Sequence, residues 1–345
     1  MNKCLKIVLM ISVLILNACG SNRTYEKKFK STKELAAEFI EIDQLLQLRN
    51  IGVTDNYVVI QNGSPKIGDI FYVYSYPEFE FLYSFGKYGR ANNEYLMPSL
   101  IKNVQGDNIM FRDHGTQKIS KFKLSNTGAE LLKEFSLPVI DYKFYWEINE
   151  VNDSLLFMKH QSHNAGQREL WNSNTIVVVD SLTNTFPQIK KEFGKEYNTI
   201  YDDQVISVND NRFACAYFMI DAIEIGSIEN NKLMINRYLG SKDIPEFYKY
   251  GHGETSNFNI DNNIIYYEGI FAAENTIYAL YSNKRLDDTE KNHSGVIETY
   301  DWNGNPKIRY ILDNELACFF VDEKEKRIYG INPTLYDDKI IMYEF

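Results

Sequence analysis

The chain has 345 residues, is 44% hydrophobic and 14% aromatic, and carries a formal net charge of −10. That acidic balance argues against nucleic-acid binding, whose affinity comes mainly from neutralising phosphates. After the first twenty residues no apolar run is long enough to cross a bilayer as a helix, and the length suits one large all-β domain or two ordinary ones.

At the N-terminus, Lys3 and Lys6 lead into an apolar run from Ile7 to Leu16, followed by Asn17-Ala18-Cys19-Gly20. A basic start, a short apolar stretch and a small residue describe a secretory signal peptide. The run is about half the roughly 20 residues that a spanning helix needs. A cysteine directly after the small residue resembles the lipobox of bacterial lipoproteins. The resemblance implies cleavage after Ala18, a diacylglycerol on the Cys19 sulfur and acylation of the new amino group. The expected organisation is a signal peptide at 1–18, a lipidated Cys19 with a tether at 19–33, and a folded body at 34–345. Cleavage removes two lysines and no acid, so the net charge moves from −10 to −12. Anionic headgroups repel such a body, so membrane contact is expected through the lipid anchor alone, which several acyl chains make stable. Gly20–Lys30 lacks the acidic run that resembles a surface-export signal in Bacteroidetes lipoproteins. The expected location is therefore the periplasmic face of the outer membrane rather than the cell surface.

From Thr32 to Leu48 the spacing of Leu35, Phe39, Ile42 and Leu45 fits a helix, and Phe39–Ile42 fits a strand equally well. Beyond it, short alternating runs of Tyr, Phe, Val and Ile are separated by Asn, Asp and Gly, which is the grammar of strands and turns. One pattern recurs six times: a polar turn and then an apolar strand. The turns are Thr54-Asp55-Asn56, Gly106-Asp107-Asn108, Asn152-Asp153-Ser154, Asn209-Asp210-Asn211, Glu274-Asn275-Thr276 and Glu325-Lys326-Arg327. The strands after them start at 57, 109, 155, 213, 277 and 328, so the spacings are 52, 46, 58, 64 and 51 residues. Asn and Asp suit such turns because they tolerate left-handed backbone and bond their own main chain. Six units of this size predict an all-β fold, a six-bladed β-propeller of four-stranded antiparallel blades. A pair of β-sandwiches would not explain six similar spacings. The last unit holds three strands, Leu316–Val321, Arg327–Ile331 and Lys339–Glu344. An N-terminal strand near Phe39–Leu48 is expected to supply the fourth and close the ring, because an open edge invites aggregation. On this reading a chain beginning at Asn50 aggregates or melts at lower temperature.

Phe85-Gly86-Lys87-Tyr88-Gly89-Arg90, then Asn93-Glu94-Tyr95 and Pro98, resembles a degenerate form of the Gly-x-Gly-x-Gly-Pro-x-Glu-Phe…Pro junction between blades of TolB-like and NHL-like propellers. Tyr278-Ala279-Leu280-Tyr281-Ser282, Thr299-Tyr300-Asp301-Trp302-Asn303-Gly304-Asn305-Pro306 and Tyr310-Ile311-Leu312-Asp313 are similar to the C-terminal part of TolB-like six-bladed propeller lipoproteins of Bacteroidetes. The chain departs from that pattern at Ala91–Asn92, where Gly-Pro is usual, and at Ser282, where glycine is. The resemblance implies the fold and an envelope location, and no particular activity.

Signatures of chemistry are sparse. Gly86-x-x-Gly89 lacks the Gly-Lys-Ser/Thr ending of a phosphate loop and reads as a blade-junction turn. His160-x-x-His163 is the one close histidine pair, and no third ligand completes a metal spacing. Asp202–Asp203 and Asp287–Asp288 read as turn composition. No nucleophile elbow, zinc motif or Cys-x-x-Cys occurs, and Cys215 and Cys318 read as free thiols in apolar strands. No cofactor and no metal are expected.

Three stretches read as long loops gathered on one face: Gln161–Asn174, Ser241–Asn259 and Ser282–Ser294. Long loops on a rigid scaffold tend to carry function. Trp171, Tyr248 and Tyr250 are the candidate contacts, since Trp and Tyr are favoured at interface hot spots. Arg90, His160, His163, Arg168 and His252 are the candidate polar companions. The expected function is that of a monomeric, non-enzymatic binding or scaffolding lipoprotein of the cell envelope, for a protein, peptide or glycan ligand. The alternative is a propeller-fold enzyme, a metal-dependent lactonase-like hydrolase or a lyase. It would need three or more Asp, Asn, Glu or His side chains converging at the channel mouth.

Overall fold

A computed structural model describes residues 27–44, 47–66, 68–91, 93–101, 104–137, 144–162, 165–172, 175–181, 204–240, 264–285 and 294–345. Among these there are strands and turns and no helix. The strands build six antiparallel blades in chain order. Their inner strands are Leu48–Val53, Pro98–Ile101, Phe144–Asn152, Gln204–Asn209, Ile264–Ala272 and Cys318–Asp322, in blades one to six. Each inner strand contacts the inner strand of the next blade, and blade six returns to blade one, so the ring is closed.

The six turn-and-strand repeats are the hairpins between the first and second strands. The second strands are Tyr57–Asn62, Asn108–Asp113, Leu155–Ser162, Arg212–Tyr217, Ile277–Arg285 and Arg327–Ile331. Side chains alternate across a strand, and here each face meets a different neighbour. Tyr57 and Val59 pack with Phe111 and Phe122 of blade two. Val58 and Ile60 pack with Tyr329, Ile331 and Ile340 of blade six. Every residue of Tyr57–Asn62 is therefore buried. Among the described residues, the mostly exposed strands are outer ones such as Gly128–Ser136. Comparable apolar clusters fill the other seams. A large side chain buried in a seam stabilises by roughly 1.5–3 kcal/mol, so the seams hold the ring together.

Local backbone follows the junction motif. Gly86 has φ +76°, a left-handed conformation that glycine adopts without a Cβ penalty. Lys87–Tyr88 then pairs in parallel with Glu94–Tyr95, which turns the chain from blade one into blade two. In blade four the ladder bulges at Ile225/Gly226. A Cβ at Gly226 would lie 2.3 Å from the Met234 carbonyl oxygen and 2.5 Å from Phe213 Cζ, so the bulge requires glycine.

The N-terminal segment resolves the helix-or-strand alternative in favour of strands. Glu38–Glu41 pairs antiparallel with Lys339–Glu344 as the outermost strand of blade six, so an N-terminal strand closes the ring. Ser31–Leu35 adds a fifth, parallel strand to blade five along Pro306–Leu312. Docking begins earlier still. Phe29 packs edge-on to Tyr300, with centroids 5.7 Å apart, and the Lys27 ammonium donates to Tyr267 Oη at 2.7 Å. The stretch expected to be tether up to residue 33 thus joins the folded body from Lys27 onward. Cys215, buried, and Cys318, half-buried, are not joined in a disulfide.

Candidate functional site

The inner strands all end at one side of the ring, and their hairpin turns converge there around a cavity of about 850 Å³. Its floor is apolar and aromatic, formed by Ile51, Leu100, Val208, Phe271, Phe319 and Phe320 from five blades. Its rim is polar, formed by Thr54–Asn56, Gln105–Gly106, Asn209–Asp210, Glu274 and Asp322–Glu325. Left-handed residues shape these turns, with φ of +63° at Gly106 and +53° at Asp210. Gly and Asp are residue types that accept such angles.

Among the described residues, side-chain bonds brace the rim at five of the six seams. Between blades one and two, Asp107 accepts hydrogen bonds from Thr54 Oγ1 at 3.0 Å and from Asn56 Nδ2 at 2.7 Å. Between blades two and three, Lys121 Nζ donates to Glu150 at 2.7 Å and to Asp153 at 2.8 Å. Burial works against the Lys121 ammonium, but these two carboxylates outweigh it and leave its pKa raised. The same bond and charge hold Asp153 below the usual carboxylate range. Between blades four and five, Arg212 Nη2 donates to the Glu274 carbonyl at 2.9 Å while its guanidinium lies 4.2 Å from the Trp302 ring centroid. Between blades five and six, Glu323 accepts from the Asn275 amide at 3.0 Å. Between blades six and one, Tyr76 donates its hydroxyl to Asp322. Burial, and then the bond to Asp322, push that phenol's pKa far up, so it stays a donor.

The acids that bridge blades are engaged, whereas four rim carboxylates are not. Asp55, Asp210, Glu274 and Glu325 are exposed and form no ion pair among the described residues. Lys324 is the one cation lining the cavity among the described residues. A rigid apolar cup under a collar of unpaired carboxylates suits a ligand that combines apolar surface with positive charge. Among the described residues no three His, Cys, Asp or Glu side chains are grouped to hold a metal ion.

The residues singled out from sequence do not form this site. Arg90 is exposed in the junction between blades one and two, which leads into the start of an inner strand, whereas the cavity lies at the inner-strand ends. His160 lies within the second strand of blade three, opposite Gln167. His163, Tyr248, Tyr250 and His252 lie outside the described residues, as does all of Ser241–Asn259. Two placements are corrections. Gln161–Asn174 is not a loop, because Ala165–Asn172 is the third strand of blade three. Within it Arg168 is 2% exposed and paired with Glu224 of blade four. Trp171 is 7% exposed and stacks on Phe135 of blade two at 4.8 Å and 8°. Both faces of a blade are covered, so neither side chain reaches solvent. Ser282–Ser294 likewise begins inside a strand, since Ile277–Arg285 is the second strand of blade five. Trp171→Ala should then cost about 3–5 kcal/mol of stability, the usual range for emptying a buried aromatic site. Urea denaturation checks this, and an unchanged midpoint would contradict the core placement.

The rim acids that sequence reasoning passed over were in view as turn markers. An acidic residue occurs in all six repeat turns, at Asp55, Asp107, Asp153, Asp210, Glu274 and Glu325. Ring closure turns that repeat into a collar.

The fold and site define a six-bladed propeller whose channel opens at one end into an acid-rimmed apolar cavity. Over residues 30–324 the sequence matches the TolB-like 6-blade propeller-like family, and the chain belongs to it. Similar solved structures include a member of the DUF4221 family from Bacteroides vulgatus, 12% identical, with a TM-score of 0.56 over 90% of this chain and 96% of that chain. Regucalcin from Agrobacterium tumefaciens, a calcium-binding protein, is 8% identical, with a TM-score of 0.50 over 91% of this chain and 95% of that chain. The Cps50 (Swd1) β-propeller domain from Myceliophteria thermophila is 9% identical, with a TM-score of 0.50 over 90% of this chain and 99% of that chain. At these identities the likeness is one of fold. No curated protein matches the sequence.

Proposed function

We propose that the protein is a lipid-anchored, non-enzymatic binding propeller of the cell envelope. It captures a partner protein through a segment that combines Lys or Arg with apolar side chains. The observation that carries this reading is the channel-mouth cavity, with its aromatic floor and four unpaired rim carboxylates. Rigid placement lowers the ordering cost of binding, and the collar steers cationic segments toward the mouth. The anchor is Cys19, and the body faces the periplasm from the outer membrane.

The binding half is tested with short labelled peptides of equal length, rich in Lys and Phe, in Glu and Phe, or in Lys and Ser. The Lys/Phe peptide should bind with an affinity that falls as salt rises. Replacing Asp55, Asp210, Glu274 and Glu325 by their amides should weaken it roughly tenfold, on the scale of a few exposed charge contacts, with Tm unchanged. Indifference of the amide variant, or equal binding of all three peptides, would count against the cavity. The anchoring half is tested by Cys19→Ala, which should leave the membrane fraction, because acyl chains supply the attachment. Retention after a salt wash would sink it, and removal of the body by protease treatment of intact cells would reverse the sidedness.

A further inference from the structure

A second cavity, of about 180 Å³, lies further along the channel, and Leu100 and Ile101 line both it and the mouth cavity. Its walls are different in kind. Arg49 comes from the inner strand of blade one, Arg112 from the end of the second strand of blade two, and His114 from the turn that follows. Asn50 and Ser99 add polar side chains, and Glu147 of blade three is the one carboxylate lining it among the described residues.

The basic groups are positioned by local bonds. Arg112 is 2% exposed and donates to the Gln117 side-chain oxygen. Gln117 Nε2 in turn donates to the His114 carbonyl at 2.7 Å, so one side chain braces both the guanidinium and the histidine turn. Asp113, next in sequence to both, is committed to shaping that turn. It accepts from the amides of Met97 at 2.8 Å, Gly115 at 3.0 Å and Leu96 at 3.2 Å, and from Thr116 Oγ1 at 2.9 Å. Burial first, and then the charges of Arg112 and Arg49, hold the His114 pKa below its ordinary value, with Asp113 opposing them. Three basic side chains thus sit within electrostatic reach of one another in one small cavity. Among the described residues lining the cavity, two arginines and a histidine face a single carboxylate, Glu147.

We propose that this cavity binds a small oxyanion, a carboxylate or phosphate group, between Arg49, Arg112 and His114. A water's share of liquid is about 30 Å³, so the space admits a group of phosphate size. Guanidinium forks match carboxylate and phosphate oxygens in pairs, and partial burial strengthens each contact relative to open water.

The test is an NMR titration of the His114 ring in the purified protein, its signal assigned by loss in His114→Gln. Acetate, inorganic phosphate and sulfate are added in turn, with chloride at matched ionic strength as the control. A bound anion should raise the His114 pKa saturably, and chloride should not. Arg49→Gln, at an exposed position, should weaken the response at least tenfold while the Tm in chloride stays the same. A response to acetate alone assigns a carboxylate ligand, and one to phosphate and sulfate assigns a phosphate-type group. A His114 pKa indifferent to all three anions, or an undiminished response in Arg49→Gln, would overturn the proposal.

Discussion

A chain beginning at Asp43 is expected to melt roughly 10 °C below the longer protein and to aggregate on heating. The cut removes the N-terminal strap and leaves every inner strand intact. Several losses coincide. Lys27 no longer bridges Asp221 and the buried Glu298, whose Oε2 lies 3.4 Å from its ammonium. Strand Ser31–Leu35 leaves blade five, and Glu38–Glu41 leaves blade six. Ile42, 2% exposed in the seam between blades six and one, goes with them. Burial of one such side chain stabilises by about 2 kcal/mol, and each ladder bond adds about 1 kcal/mol. A total loss on the order of 5 kcal/mol is about 10 °C at the few degrees per kcal/mol typical of larger domains. Lys339–Glu344 becomes an open edge carrying Ile340 and Ile341, and unpaired edges recruit other chains. A second chain beginning at Ala36 separates the contributions. It keeps the closing strand, loses Lys27 to Leu35, and should fall only part of the way. Scanning calorimetry decides the matter, and equal Tm values for all three chains would refute the strap as a clasp. The cut at Asn50 suggested by the sequence also removes Leu48, which is buried in blade one, so Asp43 is the cleaner boundary.

The repeat was legible because its markers are local. A polar turn before an apolar run needs only adjacent residues, and all six such turns are hairpins of the ring. What the sequence concealed depends on partners far away in the chain. Arg168 and Glu169 give the third strand of blade three a polar, loop-like look. The group that makes Arg168 a buried residue, Glu224, is 56 positions further on. Lys27 to Lys33 reads as part of a tether for the same reason, since its partners are in blades four and five. Alternation was a weak guide to exposure, because the two faces of a second strand such as Tyr57–Asn62 enter two seams and neither meets water. The cavity was hidden in a different way. Its acids were visible one turn at a time, and their convergence is a property of closure.

The second large effect is expected at the ion pair between Arg168 and Glu224. Arg168 stands in the third strand of blade three and Glu224 in the third strand of blade four, with their side chains 3% and 0% exposed. They join two blades at a depth where an isolated charge is poorly solvated. Around them, burial and then the Glu224 charge raise the pKa of Tyr217 far above that of a free phenol, with Arg168 opposing. The same two causes, in the same order, act on Tyr238. Glu224→Ala should therefore cost about 3–5 kcal/mol, because it strands a guanidinium inside the seam. Arg168→Ala should cost a similar amount by stranding the carboxylate. The double change Arg168→Met with Glu224→Leu should recover much of the loss, since apolar side chains of similar volume remove the desolvation penalty of both charges. Urea titrations of the double variant beside its own single changes, Arg168→Met and Glu224→Leu, give the coupling. If Arg168→Ala left stability untouched and weakened peptide capture instead, Arg168 would belong to a binding surface and its place in the seam would be wrong. A double variant no more stable than either single one would show that hydrogen bonds to the pair, rather than its charges, hold blades three and four together.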